Sequence, residues 1–435
     1  MKYASMLLAA GCLLSAVHAQ WLETTIQLDS ASDPRALCYN PQNNKVYSAN
    51  AGRDNVTVID GATNSVIATV AAGSIPRALC YNLANDKVYC ANYGSSSVTV
   101  IDGATNGVIA TVAAGAGPWA LCHNPTNNKV YCANYDGDGV TVIDGATDTV
   151  MVTVAVGFHP CAFCYNPTNN KVYCVNHNSH NVTVIDGAAD TVMATVVSDP
   201  YPWAICYNQT NNKVYSANLY LNTVTVIDGA ADTAIANALV GANPIALCHS
   251  PTDNKVYCAN NGDGNVAVID GATDTVIATV AAGRYPQALC YNPTNNKVYC
   301  ANTGIDEDED STVTVIDGAT NRALKTIGTG DRPVALGWNS AQNRVYVANY
   351  LSSSISILRD SGGPGVDEGS EPQAVGRKLM ATILSDASAT KRLASCVVFD
   401  AMGRRVLNPK TGVYFVRDEG RGAGDAGRTR KVVVQ

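Results

Sequence analysis

The first candidates for chemistry are the eight residues that directly follow a recurring proline: Arg35, Arg77, Trp119, Cys161, Trp203, Ile245, Gln287 and Val334. They differ from one another while the residues around them repeat, as in Pro76-Arg77-Ala78-Leu79-Cys80-Tyr81-Asn82 and Pro118-Trp119-Ala120-Leu121-Cys122-His123-Asn124. Variation confined to one position of a repeated frame is how a rigid scaffold presents a binding rim. Tryptophan and arginine there, with Tyr201 and Tyr285 just before two of the prolines, can stack on a sugar or grip a peptide. Unselected surface variation is the plain alternative.

Three histidines, His159, His177 and His180, fall close together in the repeat and supply the right donor atoms for zinc or copper. They sit among Asn and Ser with no supporting carboxylate nearby, so a solvated polar loop is the competing reading. Carboxylates cluster at Asp306-Glu307-Asp308-Glu309-Asp310, at Asp136-Gly137-Asp138 and at Gly262-Asp263-Gly264. Oxygen-rich loops of this kind can take Ca²⁺, although none has the spacing of an EF-hand. No Ser-His-Asp order, HExxH or phosphate-cradling loop is present, and the sequence offers no catalytic residues.

Ten cysteines form pairs at a spacing of ten: Cys80/Cys90, Cys122/Cys132, Cys164/Cys174, Cys248/Cys258 and Cys290/Cys300. A hairpin centred on position 85 would set the members of each pair opposite one another, close enough for a cross-strand disulfide. Bridges over such short loops would contribute ~2–3 kcal/mol each. The alternative is that these are small buried hydrophobes, since Cys38 faces Ser48 and Cys206 faces Ser216 without a partner thiol.

All these residues belong to one repeated unit. The prolines stand at 34, 76, 118, 160, 202, 244, 286 and 333, six intervals of 42 and one of 47. Each unit holds four short runs rich in Val, Ile, Tyr and Thr, bounded by Gly, Pro, Asn or Asp, which is the signature of strands and turns. Four antiparallel strands in about 42 residues make the blade of a β-propeller. Proline-led strands number eight, predicting an all-β, eight-bladed ring over 20–360, with seven blades as the fallback. The chain enters mid-unit at Thr24–Leu28 and leaves after Ile355–Leu358. The N-terminal strand should therefore complete the last blade and cover its open edge.

The pair Val-Tyr-Cys-Ala-Asn and Val-Thr-Val-Ile-Asp-Gly-Ala-Thr resembles the YVTN-type β-propeller repeat of extracellular and surface-layer proteins. The likeness covers residues 22–360, with Cys where that family has Val, and Asn-Pro-Thr-Asn-Asn where it has Ser-Pro-Asp-Gly. It implies secretion and surface interaction. After a Gly- and Pro-containing linker at 361–376, the runs Cys396–Val406, Gly412–Arg417 and Arg430–Val434 resemble the C-terminal sorting domains of the type IX secretion pathway. That likeness implies a small β-sandwich-like domain at 377–435 that engages secretion machinery.

The two ends agree with export. Residues 1–19 combine Lys2, an apolar run from Met6 to Val17 and small residues before Gln20, a secretory signal peptide. Ala9-Ala10-Gly11-Cys12 offers lipidation as a rival reading. No later stretch is apolar enough to span a membrane. The net charge of −7 is uneven: residues 1–360 hold 17 Lys and Arg against 28 Asp and Glu, a balance of −11. An acidic body argues against nucleic acid as partner. The reading is a secreted or cell-surface, non-enzymatic scaffold that binds a surface protein, peptide or glycan. The alternatives are a propeller lyase or cofactor-dependent dehydrogenase, and a structural coat subunit.

Overall fold

A computed structural model describes residues 20–304 and 311–360, together with four strands between 382 and 434. Within 20–360 every regular element is a strand, and the strands assemble into eight four-stranded antiparallel sheets. Seven sheets use consecutive strands of one repeat, such as Pro76–Asn82, Lys87–Asn92, Ser97–Asp102 and Val108–Ala113. The eighth is built from Pro333–Asn339, Arg344–Asn349, Ser354–Asp360 and the N-terminal strand Gln20–Gln27. Gln20 opposes Asp360 and Ile26 opposes Ile355, so the first strand closes the ring as expected. The first strand of each blade packs against the first strands of both neighbours, which makes these strands the innermost.

Burial explains the strand sequences. The second and third strands are covered on both faces by adjacent blades, so they read as continuous apolar runs: Val88, Tyr89, Cys90 and Ala91, then Val98, Val100 and Ile101, are fully buried. The outermost strand touches the core through one residue, Val112, and exposes Val108 and Ile109.

Two belts of polar contacts tie blade to blade. In the first, the last residue of each inner strand donates to the turn of the next blade: Asn82 Nδ2 to Asn128 Oδ1 at 2.7 Å, Asn166 Nδ2 to Asn212 Oδ1 at 2.8 Å, and across the seam Asn339 Nδ2 to Asn44 Oδ1 at 2.9 Å. The accepting residue holds a left-handed backbone, φ 54° at Asn128, which Asn tolerates better than most side chains. One substitution interrupts the series, where Ser250 Oγ takes the place of an Asn amide in reaching Asn296. In the second belt, a lysine of the second strand reaches the Asp-Gly turn two hairpins on, as Lys129 does with Asp190 at 2.7 Å, and Tyr131 bonds the same carboxylate at 2.8 Å. The recurring Asp-Gly therefore has a structural task.

Ser370–Gln435 is a separate compact unit. Its described strands form one sheet in the order Thr382–Leu384, Thr429–Val434, Gly412–Asp418, Cys396–Phe399. Residues 1–19 and most of the expected linker lie outside the described residues.

Candidate functional site

The proline-following residues do converge, and a bulge is the reason. In every blade the register slips at the start of the inner strand: Pro76 opposes Asn92 while Ala78 opposes Ala91, leaving Arg77 unpaired. The same slip isolates Arg35, Trp119, Cys161, Trp203, Ile245, Gln287 and Val334. Bulges re-aim side chains, and here Arg35, Arg77, Trp119, Cys161, Gln287 and Val334 line one cavity of about 390 Å³ at the mouth of the channel. Thr303, Arg332 and Tyr350 complete its wall.

Those last three escaped the sequence reading. Arg332 precedes a repeat proline, and Thr303 and Tyr350 follow the Asn that ends a second strand. That position reads Ala51, Tyr93, Tyr135, His177, Leu219, Asn261, Thr303 and Tyr350, a variability equal to the one already noticed. The residue before each proline is also in the left-handed region, including Ile75, His159, Tyr201, Tyr285 and Arg332 at φ 52° to 58°. Such backbone costs roughly 1–3 kcal/mol for a residue other than glycine and concentrates at functional sites.

Aromatic rings and cations fill the mouth. The Arg77 guanidinium lies 3.1 Å from the ring centroid of Trp119, whose indole stacks on Tyr135 at 4.4 Å, and Tyr135 stacks on His159 at 4.4 Å. Trp119 meets Trp203 edge-on at 6.1 Å, and Trp203 meets His177 at 5.1 Å. Opposite this wall, Arg35 Nη2 donates to Tyr350 Oη at 3.0 Å, and Arg35 and Arg332 both lie over the Tyr350 ring. Burial first, and then the charge of Arg35, pull the Arg77 pKa down to about 10.

This geometry changes three expectations. Trp119 and Trp203 are half-buried rather than exposed, and Trp119 has Arg77 and Tyr135 against it, so it orients Arg77 instead of offering a free stacking surface. Tyr201 and Tyr285 are the exposed aromatics, at 40% and 41%, and lie outside the cavity lining.

The histidines do not gather around one point. His159 is in the Tyr135 stack, His177 Nδ1 contacts the Pro202 carbonyl at 3.0 Å, and His180 Nδ1 accepts from the Tyr201 amide at 3.1 Å. Burial lowers the pKa of His177. Among the described residues no three His, Cys, Asp or Glu side chains are placed to share a metal. Asp138 accepts from the His159 amide and Asp263 from the Ala242 amide, so these candidate Ca²⁺ ligands brace loops. Ile305–Asp310 lies outside the described residues.

The cysteine pairs are displaced by one residue from the arrangement a bridge requires. Asn82 opposes Lys87, which centres the hairpin between 84 and 85, so Cys80 opposes Tyr89 and Cys90 opposes Leu79. A one-residue slip sends side chains to opposite faces of a sheet. Cys80 and Cys90, Cys122 and Cys132, Cys164 and Cys174, Cys248 and Cys258, and Cys290 and Cys300 are accordingly all free thiols. The second-strand members pack in the core, where burial raises their pKa values. Those of the inner strands face the neighbouring blade, and burial raises Cys80, Cys206 and Cys290 to about 12. Cys161, at the mouth, is likewise buried and raised to about 12, far from the reactive thiolate range.

No family model and no curated protein matches the chain. Among solved structures, Kuenenia stuttgartiensis hydrazine synthase superposes with a TM-score of 0.55 at 17% identity, covering 78% of this chain and 98% of the other. That likeness is one of fold: this chain is an eight-bladed β-propeller.

Proposed function

We propose that the protein is a secreted or surface-displayed binding scaffold, without catalytic activity, whose channel mouth captures a glycan, a peptide or a surface protein. One observation carries the reading: eight bulges aim eight dissimilar side chains at a single opening while the rest of the unit repeats. The rigid belts beneath hold that opening preformed, which lowers the ordering cost of binding. Buried thiols of high pKa and hydrogen-bonded histidines supply packing in place of nucleophiles or bases, which favours binding over turnover. The exposed Phe158, Tyr201, Tyr220 and Tyr285 extend an aromatic fringe around the opening.

A glycan and peptide array probed with the full chain tests this reading. Trp119→Ala combined with Trp203→Ala should weaken capture at least ~10-fold, since interface aromatics of this kind commonly carry 2 kcal/mol or more. Capture undiminished in the double variant would transfer the role to the outer surface and favour a coat subunit. Export through the C-terminal unit belongs to the same proposal. Deleting residues 377–435 should strand the protein in the periplasm, measured by cell fractionation, and normal surface delivery of the truncation would dismiss the sorting role.

A further inference from the structure

We propose that Arg35, Arg77 and Arg332 form a seat for the carboxylate of a small acidic sugar. The inference rests on the binding reading above and names its ligand class. Elsewhere in the ring, buried cations are matched to anions: Lys87, Lys129, Lys171, Lys213 and Lys297 each meet an aspartate within 2.7 Å, and Arg344 grips Glu23. The three mouth arginines break that habit. Among the described residues none of them forms an ion pair with a carboxylate. They are held by aromatic rings instead, Arg77 by Trp119, Arg35 and Arg332 by Tyr350. The Arg35 Nε is buried and has no hydrogen-bond partner, a loss that an incoming oxyanion would repair.

Guanidinium forks match carboxylates in a planar, bidentate way. Like charges near one another, the case for Arg35 and Arg77, are tolerated when a ligand supplies the counter-charge. The acidic balance of the surrounding chain then sets how much anion is accepted. Beyond about one Debye length, ~8–10 Å, the mouth's pull is screened and an extended polyanion gains little from it. A single carboxylate on a neutral, hydroxyl-bearing body fits better. Gln287 and Thr303 offer an amide and a hydroxyl for that body, and a cavity of about 390 Å³ is within the ~300–1,000 Å³ range of small-ligand sites.

The test is calorimetric titration of the full chain with an aldobiouronic acid (glucuronate linked to xylose), its methyl ester, and a tripeptide ending in glutamate. The acid should bind at least ~10-fold tighter than the ester, and Arg35→Gln and Arg77→Gln should each weaken it ~10- to 100-fold. Arg332 is exposed, so Arg332→Gln gives a readout even if the Arg77 variant fails to fold. Equal affinity for acid and ester, or full retention in Arg35→Gln/Arg332→Gln, overturns the carboxylate seat. The binding reading survives that result if Trp119→Ala/Trp203→Ala abolishes both interactions. Tighter binding of the tripeptide than of the acid overturns the sugar in favour of an acidic peptide. No heat with the acid overturns the proposal too, while the array judges the binding reading separately.

Discussion

Removal of Gln20–Gln27 should cost the ring its cooperative fold. The strand contributes a full ladder to Ser354–Asp360, and without it that strand becomes an open edge able to recruit other chains. It also carries the polar contacts of the seam. Arg344 donates to both Glu23 oxygens at 2.6 and 2.7 Å, and the same guanidinium reaches the Gly61 carbonyl of the first blade at 2.7 Å. Gln20 donates to Asp360 at 3.0 Å, and Ile26 joins the seam cluster of Ile355, Ile357 and Val46. A chain beginning at Leu28 should therefore elute as aggregate on size exclusion and lose its sharp thermal transition. Adding a synthetic peptide of residues 20–27 during refolding should restore part of the monomer. A truncated monomer melting at the full-length temperature would mean that the ring closes without its clasp.

The second large effect concerns Lys297 and Asp360. Their side chains are 3% and 0% exposed and meet at 2.6 Å, the most deeply buried charge pair described in the ring. Asp360 ends the last strand and also accepts from Gln20 and Asn292, so three blade elements converge on one carboxylate. Lys297→Ala leaves that charge uncompensated and should cost roughly 3–5 kcal/mol, read from the midpoint of chemical denaturation. Lys87→Ala serves as the internal comparison. It breaks the same contact to Asp148, but those side chains are 14% and 11% exposed, and water recovers part of the solvation. Its cost should be clearly smaller. In Lys297→Ala/Asp360→Asn the buried charge is gone, and part of the loss should return. Equal costs for Lys297→Ala and Lys87→Ala would show that burial does not set the strength of these links.

Architecture was legible because it is written locally and many times. Four alternating strands, their turn residues and the 42-residue period are properties of one unit, and copying makes the reading robust. Closure followed from the arithmetic of the ends, since Thr24–Leu28 supplies what the last blade lacks. The position of the rim was legible for a related reason: dissimilar residues stand out against a constant frame.

What escaped the sequence depended on a single step of register or on neighbours a full blade away. The cysteine spacing of ten fitted a bridge, yet a hairpin shifted by half a residue puts Cys80 and Cys90 on opposite faces, and only strand pairing reveals which centre the turn adopts. Trp119 looked like an open platform, but Arg77 and Tyr135, brought in by the preceding bulge and the adjoining strand, lie against its ring. The Asn belt joins residues 46 apart in the chain, and Asn339 to Asn44 spans the whole ring. The sequence by itself determined the unit, its number and its closure, because strand and turn preferences act over a few residues. Tertiary structure decided which faces those residues share, because blade-to-blade packing and bulge geometry are not encoded within any one repeat.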